Sequence, residues 1–163
     1  MKRRSAVALL GLAGLLMGGC GFKLRGAQTY TFQTLAIMPN PGGPLAIELR
    51  RSFGDSVRVL APHEPISQAQ VVLDILQEQR EKTVVGVSSS GQVREFQLRI
   101  RVKFRVRNRD GDELTPPTEL VQQRDMSFSE SAVLAKEAEE VLLYRDMQSD
   151  MVQQLMRRLA AIK

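Results

Sequence analysis

From Phe96 to Arg107 apolar and polar side chains alternate without a break. Phe96, Leu98, Ile100, Val102, Phe104 and Val106 fall on one parity, and Gln97, Arg99, Arg101, Lys103, Arg105 and Arg107 on the other. Successive side chains of a strand point to opposite faces of a sheet, so this period of two predicts a strand with one apolar and one cationic face. Something else in the chain must cover the apolar face, and two segments with helical spacing are available for that.

The first begins at Pro44, a residue suited to a first helical turn. It carries Leu45, Leu49 and Phe53 at four-residue steps and ends at Gly54, which can close a helix in a left-handed conformation. The second is long and has neither Pro nor Gly. Ser129 is expected to cap it, Glu130 lies in its first turn, and Leu134, Ala138, Val141, Tyr144, Met147, Met151, Leu155, Leu159 and Ile162 advance by three or four residues as a buried stripe.

Further strands are predicted around the alternating one. Leu35 to Met38, a short apolar run stopped by Pro39 and Pro41, is the first strand, whereas Val57 to Leu60 is only a brief β-branched segment outside the four strands. Val71 to Ile75 opens a long strand running towards Val87, and Ser88-Ser89-Ser90-Gly91 is the turn into the alternating strand. Asp110-Gly111 is a hairpin signal, and Glu119 to Phe128 is the returning strand after Pro116 and Pro117. The predicted fold class is α+β in two layers, with two helices packed on one face of a mainly antiparallel four-stranded sheet. The other face is left to solvent or a partner.

The N-terminus reads as an export signal: Lys2, Arg3 and Arg4 form a basic region, Ala6 to Met17 an apolar one, and Gly18-Gly19 a small-residue cleavage site. The apolar run is shorter than the roughly 20 residues a membrane-spanning helix needs. Cys20 is the only cysteine, which excludes an internal disulfide, and Leu16-Met17-Gly18-Gly19-Cys20 resembles the bacterial lipobox. That resemblance implies a lipid-modified, palmitate-bearing Cys20 as the first mature residue, and Gly21 after it favours the outer membrane. The expected organisation is a signal peptide over 1–19, a lipidated tether over 20–33 and one domain over 34–163. Removal of Lys2, Arg3 and Arg4 lowers the formal charge from +5 to +2, so the placement of charge matters more than its sum.

The octapeptide Gly19-Cys20-Gly21-Phe22-Lys23-Leu24-Arg25-Gly26 closely resembles the start of mature proteins of the LPS-assembly lipoprotein LptE family. Gly43-Pro44-Leu45, Gly91-Gln92, Glu95-Phe96-Gln97 and Leu134-Ala135-Lys136-Glu137 are similar to the family as well. The resemblance implies a lipoprotein of the outer membrane, facing the periplasm and the lumen of the barrel protein LptD. There it would act as plug and assembly factor and assist delivery of lipopolysaccharide to the outer leaflet. It also implies two basic contacts to lipopolysaccharide: one matches Lys136, whereas the other, at the hairpin tip, has no cation among Ser88-Ser89-Ser90-Gly91. A generic lipid-tethered periplasmic adaptor with another protein partner is the alternative that the lipobox and fold allow.

The cationic face supplies further candidate lipopolysaccharide contacts. Arg99, Arg101, Lys103, Arg105 and Arg107 recur at about 6.6 to 6.8 Å, the rise of two strand residues, and a row of this kind can meet phosphates. A tight turn at residues 88 to 91 predicts Asp74 opposite Arg105 and Glu78 opposite Arg101. It leaves Arg80, Lys82, Arg99, Lys103 and Arg107 on this face with Glu95 as the only other acid. The row is then either an anion-recognition surface or a solvated face whose exposed pairs contribute about 0.2–1 kcal/mol each.

Lys136 read alone is a surface lysine near a helix start, where a cation opposes the helix dipole. His63 stands alone between Pro62 and Pro65, without the partners a metal site or a catalytic triad requires. With no phosphate loop and no metal-ligand spacing, neither catalysis nor a cofactor is expected. Nucleic acid is not an expected partner either, because Phe96 and Phe104 lie on the core side of the strand, where they cannot stack on bases.

Overall fold

The computed structural model describes residues 28–39 and 41–162. Cys20, the expected signal peptide over 1–19 and the expected tether as far as residue 27 lie outside the described residues. Seven regular elements follow in chain order: β1 (Thr34–Met38), α1 (Pro44–Phe53), β2 (Arg58–Val59), β3 (Val71–Val87), β4 (Val93–Asn108), β5 (Glu113–Ser127) and α2 (Val133–Ala160).

They form an α+β fold with both helices on one face of a sheet ordered β2-β1-β3-β4-β5. The sheet has five strands and is mixed, which corrects the expected four-stranded, mainly antiparallel one. The chain leaves β1, crosses over through α1 and returns as β2 parallel to β1. The brief segment after Val57 is therefore a strand because a parallel neighbour awaits it. β1 is also parallel to β3, pairing Leu35 with Val71 and Met38 with Asp74. Two residues of β2 carry too little pattern to register as a strand by themselves.

β3, β4 and β5 form a long antiparallel meander. Pro116 and Pro117 sit inside β5, which starts at Glu113 instead of Glu119. As the edge strand it tolerates two residues without an N–H. The apolar parity of β4 faces the helices: Leu98, Ile100, Val102, Phe104 and Val106 are buried with Leu73, Leu45, Leu49, Phe53, Met147 and Leu155. Tyr30 and Phe32, within the segment assigned to the tether, pack on this core as well.

The N-terminus of α1 has Gly43 as its cap residue, with no side-chain capping bond of its own. The carboxylate of Glu78 takes over that role from β3, its Oε1 accepting from the Leu45 N–H at 3.4 Å and placing negative charge at the positive end of the helix. Just upstream, Gly42 has φ +79, and a Cβ there would stand 2.7 Å from the Ala46 Cβ and 2.8 Å from the Pro39 carbonyl oxygen. Gly42→Ala is therefore expected to cost about 1–3 kcal/mol, read as a lowered urea midpoint with unchanged slope. An unchanged midpoint would show that the turn relaxes freely.

α2 departs from expectation at its start. Ser129 does not cap it: a 3-10 turn over Glu130–Ala132 comes first and Ala132 is the cap residue. Of the predicted buried stripe, Met147, Met151, Leu155 and Leu159 are fully buried, whereas Leu134 and Val141 are exposed. The helix outruns the apolar core and docks its first half through polar groups.

Candidate functional site

The face of the sheet away from the helices carries the cationic row of β4. One β-bulge decides what each cation meets. Asp74 pairs with Arg105 as the turn predicts, but between Ile75 and Gln77 the register slips, leaving Leu76 unpaired and placing Gln79 opposite Arg101. A slip of one residue sends every later side chain to the other face. Glu78 thus lies opposite Val102 on the helix side, which is what lets it reach α1, and it is not the partner of Arg101.

Arg80 and Lys82 cross over for the same reason, correcting their expected place on the open face. Arg80 stacks over the Tyr144 ring, 5.4 Å from its centroid, and bonds Gln148. Lys82 pairs with Glu140 at 2.6 Å and lies 4.3 Å from the Phe96 centroid. The Tyr144 hydroxyl donates to the Glu81 carbonyl at 2.7 Å. These contacts are the polar docking of the first half of α2.

On the open face the row is threaded with carboxylates. Asp74, largely buried, accepts from Arg105 Nε at 2.8 Å and from Arg107 Nε at 2.9 Å. Burial alone would raise its pKa, but the hydrogen bonds and charges of Arg107 and Arg105 outweigh that and hold it below the ordinary aspartate value. Glu81 lies 3.8 Å from Arg99 and 3.9 Å from Arg101, and Glu119 lies 3.6 Å from Arg101. Glu81 and Glu119 were missed from sequence: the bulge that brings Glu81 to this face has no sequence signature, and Glu119 needs the β5 register.

Nε of Arg99 and of Arg101 is buried without a hydrogen-bond partner, that of Arg101 lying 3.6 Å from a Glu119 carboxylate oxygen. Lys103 is exposed and makes no ion pair among the described residues, the carboxylate of the opposite Glu119 turning to Arg101 instead. Lys136 lies apart, at the start of α2 on the helix side. Its ammonium bonds Ser127 Oγ at 3.0 Å and Glu139 at 2.8 Å, which offsets its unfavourable place near the helix N-terminus. The structure therefore groups Arg99, Arg101, Lys103 and Arg105 on one face and does not bring Lys136 to them.

Among the described residues there is no group of His, Asp and Glu able to hold a metal ion, and no helix is long and apolar enough to cross a membrane.

Comparison with known proteins covers nearly the whole chain. Residues 32–159 match the family described as LptE, lipopolysaccharide-assembly. The LPS-assembly lipoprotein LptE of Photorhabdus laumondii is 31% identical over 168 residues, spanning 99% of this chain and 88% of the relative. That of Pectobacterium atrosepticum is 30% identical over 166 residues, with the same shares. Among solved structures, an uncharacterized lipoprotein B from Nitrosomonas europaea superposes with a TM-score of 0.74 at 34% identity, covering 86% of this chain and 91% of that one. The rare lipoprotein B from Shewanella oneidensis shares the fold, with a TM-score of 0.66 at 21% identity, over 79% of this chain and 95% of that one.

Proposed function

The chain belongs to the LptE family of non-enzymatic lipopolysaccharide-assembly lipoproteins, and from that membership we propose that it is an outer-membrane lipoprotein anchored through Cys20. In this reading it complexes with the LptD barrel as plug and assembly factor and assists insertion of lipopolysaccharide into the outer leaflet. The family match over residues 32–159 carries the proposal. The Cys20 motif supports the anchor, since a lipidated cysteine supplies membrane affinity.

Lipopolysaccharide is bound, in the same reading, through its phosphates by Arg99, Arg101, Lys103 and Arg105 on the open face and by Lys136. An incoming phosphate meets Lys103 directly and competes with Glu81 and Glu119 for Arg99 and Arg101. The row thus recognises anions by exchange of carboxylate for phosphate.

Purification of the full-length protein from outer membranes tests this reading. The expected result is an acylated N-terminal Cys20 by intact mass, copurifying LptD, and lipopolysaccharide binding that Lys103→Glu with Lys136→Glu weakens roughly five- to tenfold at low salt and less at high salt. Copurification of a different protein in place of the barrel would favour the tethered-adaptor alternative. Unaltered lipopolysaccharide titration in the double variant would remove these cations from the site.

A further inference from the structure

The carboxylates along the cationic row are not held alike. Asp74, largely buried, accepts hydrogen bonds of 2.8 and 2.9 Å from Arg105 and Arg107, so those two guanidinium groups are committed. Glu81 stands 3.8 Å from Arg99 and 3.9 Å from Arg101, at the outer reach of an ion pair with each. Glu119 stands 3.6 Å from Nε of Arg101, also without a hydrogen bond, and its side chain is 45% exposed. An exposed pair beyond hydrogen-bonding distance contributes little to stability, so Glu119 is the acid that an incoming anion displaces most easily. β5 is the edge of the sheet, and the displaced carboxylate can swing out into solvent there.

The groups around the Glu119 carboxylate suit one kind of ligand. Register puts Glu119 opposite Lys103, yet its carboxylate turns along the strand to Arg101, which leaves the Lys103 ammonium without an ion pair among the described residues. Arg101 and Lys103 are neighbours on one face of β4, about 6.6 to 6.8 Å apart along the strand, so the oxygens of a single phosphate can reach both side chains. On the β3 side they face Gln79 and Gln77, whose amides are joined by a 2.7 Å bond from Gln77 Nε2 to Gln79 Oε1. On the β5 side Arg101 faces Val121. Two adjacent cations match a phosphate monoester, which carries about 1.5–2 negative charges at neutral pH where the carboxylate carries one. The neutral amides match sugar hydroxyls, and a single exposed valine is too small a bed for acyl chains.

We propose that Glu119 holds the place of a ligand phosphate: a phosphate monoester on a sugar binds between Arg101 and Lys103, displacing the Glu119 carboxylate, while the Gln77 and Gln79 amides take sugar hydroxyls. This rests on the lipopolysaccharide-binding role proposed for the open face, and it names what that face recognises, the phosphorylated sugar headgroup without its acyl chains.

The test titrates the full-length lipidated protein, in detergent at physiological ionic strength, with four probes. They are deacylated phosphorylated oligosaccharide from lipopolysaccharide, the same saccharide after phosphatase treatment, inorganic phosphate, and intact lipopolysaccharide. Glu119→Gln should tighten binding of the phosphorylated saccharide about fivefold with an unchanged thermal melt, since it removes a competing charge and no core contact. Lys103→Gln should weaken that binding by about the same factor. Glu113→Gln removes the same charge from the same strand, opposite Arg107, and should leave the affinity unchanged, because the intervening distance exceeds the screening length of about 8 Å. Inorganic phosphate and the phosphatase-treated saccharide should each bind more weakly than the phosphorylated saccharide. Unchanged or weakened binding in Glu119→Gln, an equal gain in Glu113→Gln, or inorganic phosphate binding as tightly as the phosphorylated saccharide would each overturn the proposal. So would a wild-type chain that binds intact lipopolysaccharide and ignores the deacylated saccharide, which would move recognition to the acyl chains. A wild-type chain that binds neither would instead overturn the role on which the proposal rests.

Discussion

Leu155→Ala is expected to lower stability by about 2–5 kcal/mol, the range for truncating a fully buried leucine whose surroundings relax only in part. Leu155 is inaccessible to solvent and stands in the middle of the stretch where α2 is held by apolar contact, with Met147 and Met151 before it and Leu159 after it. The first half of α2 adds only the partly buried Leu143 and Tyr144 to the apolar core, and is otherwise docked by Lys82 on Glu140, Arg80 on Tyr144 and the Tyr144 hydroxyl on a backbone carbonyl. A domain with about 5–15 kcal/mol in total loses a large share of its stability by this one change. Urea denaturation reads the effect directly. Leu134→Ala is the matched control, because Leu134 is solvent-exposed and should stay within about 0.5 kcal/mol of the parent. Equal losses at the two positions would mean that the helix is held along its whole length.

Asp74→Asn is expected to cost about 1–3 kcal/mol at neutral pH and to change how stability responds to acid. The Asp74 carboxylate holds two guanidinium groups 2.8 and 2.9 Å away, and the amide would leave Arg105 and Arg107 side by side without their shared counter-charge. The folded state depresses the pKa of Asp74, so its contribution is fully present above the unfolded value of about 3.9 and is lost as pH falls through the lower folded value. The parent should therefore lose stability progressively below about pH 4, and the Asn variant should lack that increment. Denaturation midpoints collected between neutral and strongly acidic pH would decide it. A variant that matches the parent in both neutral stability and acid slope would show the cluster to be a solvated surface pair.

Much of the fold was legible because its signals are local. The alternation in β4, the four-residue steps in α1 and the Met147-to-Leu159 stripe each report burial within one element, and each has the facing it predicts. Asp74 pairs with Arg105, as counting outward from the Ser88–Gly91 turn predicts, because the bulge at Leu76 cancels the one-residue offset with which the turn closes between Ser88 and Gln92. The count failed for Glu78 and Arg101, which lie on the turn side of the bulge.

By itself, then, the sequence determined the two-faced strand, the helices able to cover it, the Cys20 motif and the family resemblance, all properties of consecutive residues. Only the tertiary structure decided the parallel β2-β1-β3 end, because a two-residue strand exists only beside its neighbour. It alone placed Glu81 and Glu119 among the arginines, because facing beyond a bulge is set by hydrogen-bond pairing and not by side-chain period. And it alone exposed Leu134 and Val141, whose spacing matches that of their buried counterparts, because burial depends on which elements pack beside the helix and no residue of α2 encodes that.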